Sequence, residues 1–284
     1  MHGRVRRVTE KTIEEISEEQ AKAKKYVTLE KMCFAMKAKG DYSPTAIELS
    51  TKLLSLNPDV TSIWNYRKEY IKNTLAQANL ADESRKSFIA DELFLTQSII
   101  QNKDTKCYPL WHHRKWLFTL EPSLLTKDEI KLCEKLFLVD ERNFHCWNHW
   151  KFVCTHLHLS INEMLEFTYK RIEHNFSNYS AWNYRLSLLS EGYINNLIDF
   201  DIKEFIDKDL SLILNALYTE PDDQSSWYYQ KSLFEFLKST TIYTNDEINS
   251  MIQGRLEEVQ ELLDMEPDCT LARDAVQYLT TLLL

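Results

Sequence analysis

The sequence predicts an all-α fold built from helical hairpins, and three observations carry that prediction. Only four glycines (Gly3, Gly40, Gly192, Gly254) and six prolines occur in 284 residues, too few for the tight positive-φ turns of a β protein. A tryptophan-centred segment recurs as TSIWNYRKEYI, YPLWHHRKWLF, FHCWNHWKFVC, YSAWNYRLSLL and SSWYYQKSLFEF, aligned on Trp64, Trp111, Trp147, Trp182 and Trp227. Their intervals of 47, 36, 35 and 45 residues are those of a repeat array. Upstream of each tryptophan, apolar residues fall at helical spacing.

Taken in order, residues 8–39 form an amphipathic helix that begins the stack or reaches toward a partner. Each unit then reads as helix, short turn, helix. The first helices contain ELSTKLLSLN (48–57), ELFLTQSIIQN (92–102), EIKLCEKLFLVD (129–140), EFTYKRIEHNF (166–176) and DLSLILNALYTE (209–220). Breakers separate the helices: Pro58 and Pro221 stand six residues before their tryptophans. Asn143, Asn178 and Asp223 stand four before, where a side-chain oxygen can cap the second helix. Pro109 suits a first helical turn, where its missing N–H costs nothing. A degraded sixth unit, LEEVQELLDMEPDCTLARDAV (256–276), puts Pro267 six residues before Arg273, which takes the tryptophan's place. Terminal units of such arrays are commonly atypical. The expected organisation is one domain over 1–284, with an N-terminal arm and helix over 1–43 and about six hairpins over 44–284.

Trp64/Arg67, Trp111/Arg114 and Trp182/Arg185 each share one helix face, pairing a large apolar plate with a five-donor cation. These pairs read as structural, the guanidinium satisfying carbonyls left open at an adjacent helix end. Trp150 and Gln230 occupy the arginine position in the third and fifth units, so the ion is not required everywhere.

A net charge of −9 disfavours a general nucleic-acid binder, whose partner it would repel. The charge is uneven, with ten basic against six acidic residues in 1–40. Six cysteines lack a CxxC pair, and MHGRVRR leads into a charged stretch; both predict reduced thiols and a cytoplasmic location. No run approaches the roughly 18 apolar residues of a membrane span. The densest metal candidate is His145, Cys146, His149, Cys154, His156 and His158, but on a helix the cysteines and histidines fall on different stripes, which argues against zinc. No Walker A, GxGxxG or DDxxD-type element occurs.

Five copies of a tryptophan word, preceded by Pro or Asn and an aromatic residue and in three copies continuing as W-x-x-R, resemble the repeat of protein prenyltransferase α subunits. Tetratricopeptide repeats differ in requiring a first-helix glycine, which no glycine here supplies. MHGR, VDERNFHCW (139–147) and FSNYSAW (176–182), supported by DDQSSW (222–227), are most similar to the Rab geranylgeranyltransferase (type II) branch. The resemblance covers nearly the whole chain. It leaves no room for the additional domains of animal members and suggests a compact, fungal-type subunit.

The resemblance implies a right-handed superhelical α-α solenoid bent into a crescent around a β subunit that holds zinc and geranylgeranyl diphosphate. No cofactor is expected on this chain alone. It implies that Lys106, with Tyr108 beside it, reaches the departing diphosphate, that Arg142 adds positive potential, and that Phe144 and His145 line the lipid and substrate mouth. His2 could reach the partner's zinc as an autoinhibitory ligand. The implied partners are the β subunit, the Rab escort protein and Rab GTPases, without nucleic acid or a transmembrane segment. Two other readings remain: the α subunit shared by farnesyltransferase and type I geranylgeranyltransferase, and a non-catalytic helical-repeat scaffold.

Overall fold

A computed structural model describes residues 12–77, 81–102 and 106–283. His2 lies outside the described residues. Among those described there are thirteen α-helices, one short 3-10 turn and no strand. The chain divides into two compact units, Met1–Thr126 and Lys127–Leu284.

The first unit begins with α1 (Ile13–Lys39), opened by a Thr12/Glu15 capping box. It ends at Gly40, whose φ of 63° is the left-handed cap that glycine adopts without a Cβ penalty. This helix packs on α2 (Pro44–Leu56) and α3 (Thr61–Gln77), yet only its Cys33 is buried. The second hairpin is α4 (Asp82–Asn102) with α5 (Tyr108–Leu120). The other unit holds four hairpins: α6 (Lys127–Val139) with α7 (Phe144–His156), α8 (Ile161–His174) with α9 (Tyr179–Ile194), α10 (Ile202–Thr219) with α11 (Gln224–Ser239), and α12 (Asn245–Met265) with α13 (Thr270–Leu283).

The expected caps form. Asn143 accepts from the N–H groups of His145 and Cys146, Asn178 from Ala181 and Asp223 from Ser225. Each cap satisfies donors that a helix start leaves open. Pro109 lies in the first turn of α5. At Gly192, an added Cβ would meet side-chain carbons of Ile161 at 3.0 Å and Ile198 at 3.1 Å, so α9 approaches the α8 start and the following loop closely enough that a larger residue would have to displace them by a few tenths of an ångström.

The tryptophans explain why prolines and turn carbonyls precede them at a fixed distance. Trp64 Nε1 donates to Pro58 O (2.8 Å), Trp147 to Glu141 O (2.7 Å), Trp182 to Phe176 O (2.8 Å) and Trp227 to Pro221 O (2.8 Å). Each indole therefore buries its rings while its N–H closes the turn six residues back. Arg273 makes the same connection to Pro267 O at 3.2 Å, so the sixth hairpin keeps the bond after losing the tryptophan. Neighbouring hairpins stack through these plates: Trp64 lies 4.7 Å from His113, Trp147 5.0 Å from Tyr184, and Trp182 4.7 Å from Tyr229.

The arginines behave differently from the expectation. Arg67 donates to Ile47 O (3.1 Å), Ser50 Oγ (2.7 Å) and both oxygens of Glu92. Arg114 reaches Leu93 O and Thr96 Oγ1. Arg185 reaches Leu165 O (2.7 Å), Thr168 Oγ1 (3.3 Å) and Asp209 (2.5 Å from Nη2). Leu93 and Leu165 lie inside their helices, so the guanidinium does not serve helix ends. It binds a mid-helix carbonyl beside a serine or threonine, and in α3 and α9 it clasps a buried acid on the next hairpin.

Candidate functional site

Second helices begin at turns, and the turns present the candidate residues. In the first unit, Lys106 is exposed immediately before α5, and Tyr108, the first residue of α5, is 65% exposed. Between them Cys107 is buried with its Sγ 3.0 Å from Pro58 O, which ties this turn to the preceding one. One helical turn on, the ring of His112 lies 6.0 Å from that of Tyr108. Lys68 of α3 brings its Nζ to 3.0 Å from His112 Nδ1 and lies 5.3 Å over the Trp116 ring. Burial and nearby Lys72 lower the Lys68 pKa, while burial, Lys68 and Lys115 lower that of His112.

In the second unit, Arg142, Phe144 and His145 occupy the corresponding turn. Arg142 is exposed, its backbone N–H donating to Asp140 Oδ1 at 3.1 Å. Phe144 opens α7 at 65% exposure, and His145 meets it edge-on at 5.8 Å. Three turns of this unit are tied side by side. Asn175 donates to Glu141 Oε2 (2.8 Å), Ser177 Oγ to Glu220 Oε2 (2.6 Å), and Ser225 Oγ to Ser177 O (3.3 Å). Burial pushes the Asp223 carboxyl up, but its bonds to Ser225 and Ser177 and the charge of Arg142 bring it below the usual range. Arg142 therefore acts across this row of turns.

Lys106 and Arg142 share a register, five residues before their tryptophans, where the other copies have Asp59, Ser177 and Asp222. Tyr108 and Phe144 likewise share the exposed position three before. Tyr179 holds that position in the fourth copy, 42% exposed, and the repeat register alone would have singled it out.

The histidine and cysteine cluster is dispersed. Cys146, His149 and Cys154 are buried, His149 Nε2 lies 2.6 Å from Glu129 Oε1, and Cys146 Sγ is directed to Cys133 O at 3.7 Å. Burial raises the Cys154 thiol to about 12. Among the described residues no group of three His, Cys, Asp or Glu could hold a metal ion, and no helix is long and apolar enough to cross a membrane.

The sequence matches the family described as "Protein prenyltransferase alpha subunit repeat" over residues 43–74, 89–120, 126–157, 161–192 and 206–237. The chain belongs to the protein prenyltransferase alpha subunit family. The matched segments are the first five hairpins, and α12–α13 form a sixth beyond them. Relatives named "Geranylgeranyl transferase type-2 subunit alpha" include that of Dictyostelium discoideum, 34% identical over 89% of this chain and 82% of its own length. That of Saccharomyces cerevisiae is 31% identical over 81% and 71%, and that of Homo sapiens 34% over 82% and 41%. The chain thus spans about two fifths of the mammalian relatives' length. The solved "Candida albicans protein geranylgeranyltransferase-I complexed with GGPP" has the same fold, with a TM-score of 0.67 at 20% identity over 92% of this chain and 84% of that one.

Proposed function

We propose that this chain is the alpha subunit of a Rab geranylgeranyltransferase, a cytoplasmic enzyme active as a heterodimer with a β subunit. The observation that carries the reading is the cation five residues before tryptophan, present in the second and third repeats as Lys106 and Arg142 and replaced by Asp or Ser elsewhere. The type-2 name shared by the relatives favours it over the alpha subunit common to farnesyltransferase and type I geranylgeranyltransferase.

In the reaction, a C-terminal cysteine sulfur of a Rab GTPase, delivered by the Rab escort protein, bonds to C1 of geranylgeranyl diphosphate. The C1–O bond breaks, its electron pair leaves on pyrophosphate, and the thiol proton passes to solvent. A zinc ion held by the β subunit would, when bound, favour the thiolate form of that cysteine. What this chain supplies is positive charge where the leaving group gathers negative charge, an interaction that strengthens as the bond breaks. In this reading Lys106, with Tyr108 next but one to it in the chain, takes that role, and Arg142 adds positive potential. Exposed Phe144 and half-buried His145 offer an apolar and aromatic wall to the lipid.

Coexpression with a zinc-binding β chain, assayed with geranylgeranyl diphosphate, a Rab protein and escort protein, tests the reading. Lys106→Ala should assemble normally and slow single-turnover transfer by about 10²–10³, the usual effect of losing one preorganised donor. Unchanged transfer removes Lys106 from the mechanism.

A further inference from the structure

The junction between the last two hairpins differs from its neighbours by one missing ring. Two residues beyond the tryptophan, successive copies carry Tyr66, His113, His149, Tyr184 and Tyr229, and the sixth hairpin carries Ala275 at the same distance from Arg273. In the later copies the ring at this position covers the tryptophan of the hairpin before it: Tyr184 lies 5.0 Å from Trp147, and Tyr229 lies 4.7 Å from Trp182. Ala275 has only a methyl group to offer Trp227.

The cavities at the two junctions differ accordingly. Between α9 and α11 the groove lined by Trp182 and Tyr229 holds about 40 Å³, whereas the groove lined at the same repeat positions by Trp227 and Ala275, between α11 and α13, holds about 200 Å³. Tyr278, on the same wall, is held by other contacts: its hydroxyl donates to Glu235 Oε1 at 3.0 Å, and Lys231 Nζ lies 4.7 Å over its ring. Gln230 lines the larger cavity. It is 2% exposed, and its Oε1 has no hydrogen-bond partner among the described residues. A buried acceptor in this state is costly, and an incoming donor relieves that cost.

We infer that the cavity between α11 and α13 is a binding site for one tyrosine side chain of a protein partner. The ring takes the place left by Ala275 against Trp227, and the hydroxyl donates to Gln230 Oε1. Two observations select a phenol: phenylalanine brings no donor for the orphaned amide, and the two preceding junctions seat a tyrosine at this place, Tyr229 with its hydroxyl on buried Asp209. Exposed Gln224, Tyr228, Lys231 and Asp274 surround the mouth, a polar rim about an apolar floor, which is the form of a pocket for a protein's aromatic anchor. The inference stands apart from the functional reading above, since it uses none of the turn cations.

The test uses the full chain and three probes, N-acetyl-tyrosinamide, N-acetyl-phenylalaninamide and p-cresol, titrated while the Trp227 indole N–H resonance is followed by NMR. N-acetyl-tyrosinamide should saturate and bind about tenfold more tightly than the phenylalanine analogue, the value of one hydrogen bond. Gln230→Leu should erase that margin. Ala275→Tyr, which supplies the ring from within, should abolish binding; Ala275→Leu, a smaller plug, takes its place if the tyrosine variant does not fold. Binding of p-cresol with N-acetyl-tyrosinamide excluded identifies a free phenol as the ligand and overturns the assignment to a protein side chain. Equal binding of the tyrosine and phenylalanine analogues, undiminished binding to the plugged variant, or no saturable shift with any probe overturns the inference.

Discussion

Between the fourth and fifth repeats, Arg185 reaches across to Asp209, which also accepts from Tyr229; all three are buried. Between the third and fourth repeats, the same helix position holds Trp150, lying nearly parallel to Phe167 at 4.6 Å. Met164 stands where Asp209 stands, eighteen residues before the next tryptophan. The two junctions fill similar space, one with an ionic clasp and one with aromatic and aliphatic surface. The swap is consistent on both sides, because a buried cation without its acid, or the reverse, would leave an uncompensated charge. At the fifth junction the cation stands on the later hairpin, paired with Glu258 of its own helix at 3.1 Å. Gln230 takes the arginine position, Arg255 takes the acid position, and its Nη2 reaches Leu210 O at 2.8 Å. From the third repeat to the fifth the facing side chains thus match in kind, and the ion pair is one way to achieve that.

Breaking the clasp on one side should have the largest effect. Arg185→Met leaves Asp209 buried and should cost about 3–5 kcal/mol in chemical denaturation, whereas Arg185→Met with Asp209→Leu should recover most of that loss. Trp150→Arg imposes the converse error on the apolar junction and should cost a similar amount.

Acid should separate the two junction types next. Burial would raise the Glu92 carboxyl, but hydrogen bonds from Arg67 and His113 hold it at about 2. Its contribution is therefore complete above the ordinary carboxylate value near ~4.3 and is lost as pH falls toward that depressed value. His113 acts in the same direction: burial lowers its pKa despite Glu92, so protonation below its ordinary value near ~6.5 favours the unfolded chain. Amide exchange in α4 and α5 should accelerate progressively between these limits, whereas the Trp150–Phe167 stack contains no titrating group. Equal acid sensitivity in α8 would contradict the assignment. The smallest effect belongs to Trp227→Phe, which keeps a ring but removes the N–H on Pro221 O; about 1 kcal/mol is expected by thermal denaturation.

The hairpins were legible because Trp, cap and apolar spacing repeat locally. Even the degraded sixth unit could be placed through Pro267 and Arg273, and Arg273 keeps the tryptophan's bond. The acids were not legible. Glu92 and Asp209 look like ordinary charged residues of amphipathic helices, and their arginines lie 25 and 24 residues away in sequence, on another hairpin. His113 and His149 were hidden for a related reason: they occupy a position that Tyr66, Tyr184 and Tyr229 fill elsewhere, so the pattern shows only when the copies are stacked. At the candidate site, Lys106 and Arg142 emerged through resemblance and register together. Lys68 did not, because its relation to His112 is made across two helices.

The most direct test of the proposed division between structural and chemical cations is one experiment on two variants of the proposed heterodimer, recording melting temperature and single-turnover rate per assembled molecule. Lys106→Ala should keep the melting temperature and lose about 10²–10³ in rate, while Arg185→Met should lower the melting temperature and keep the rate. A slow Arg185→Met enzyme of undiminished stability, or a fast Lys106→Ala enzyme, would contradict the account.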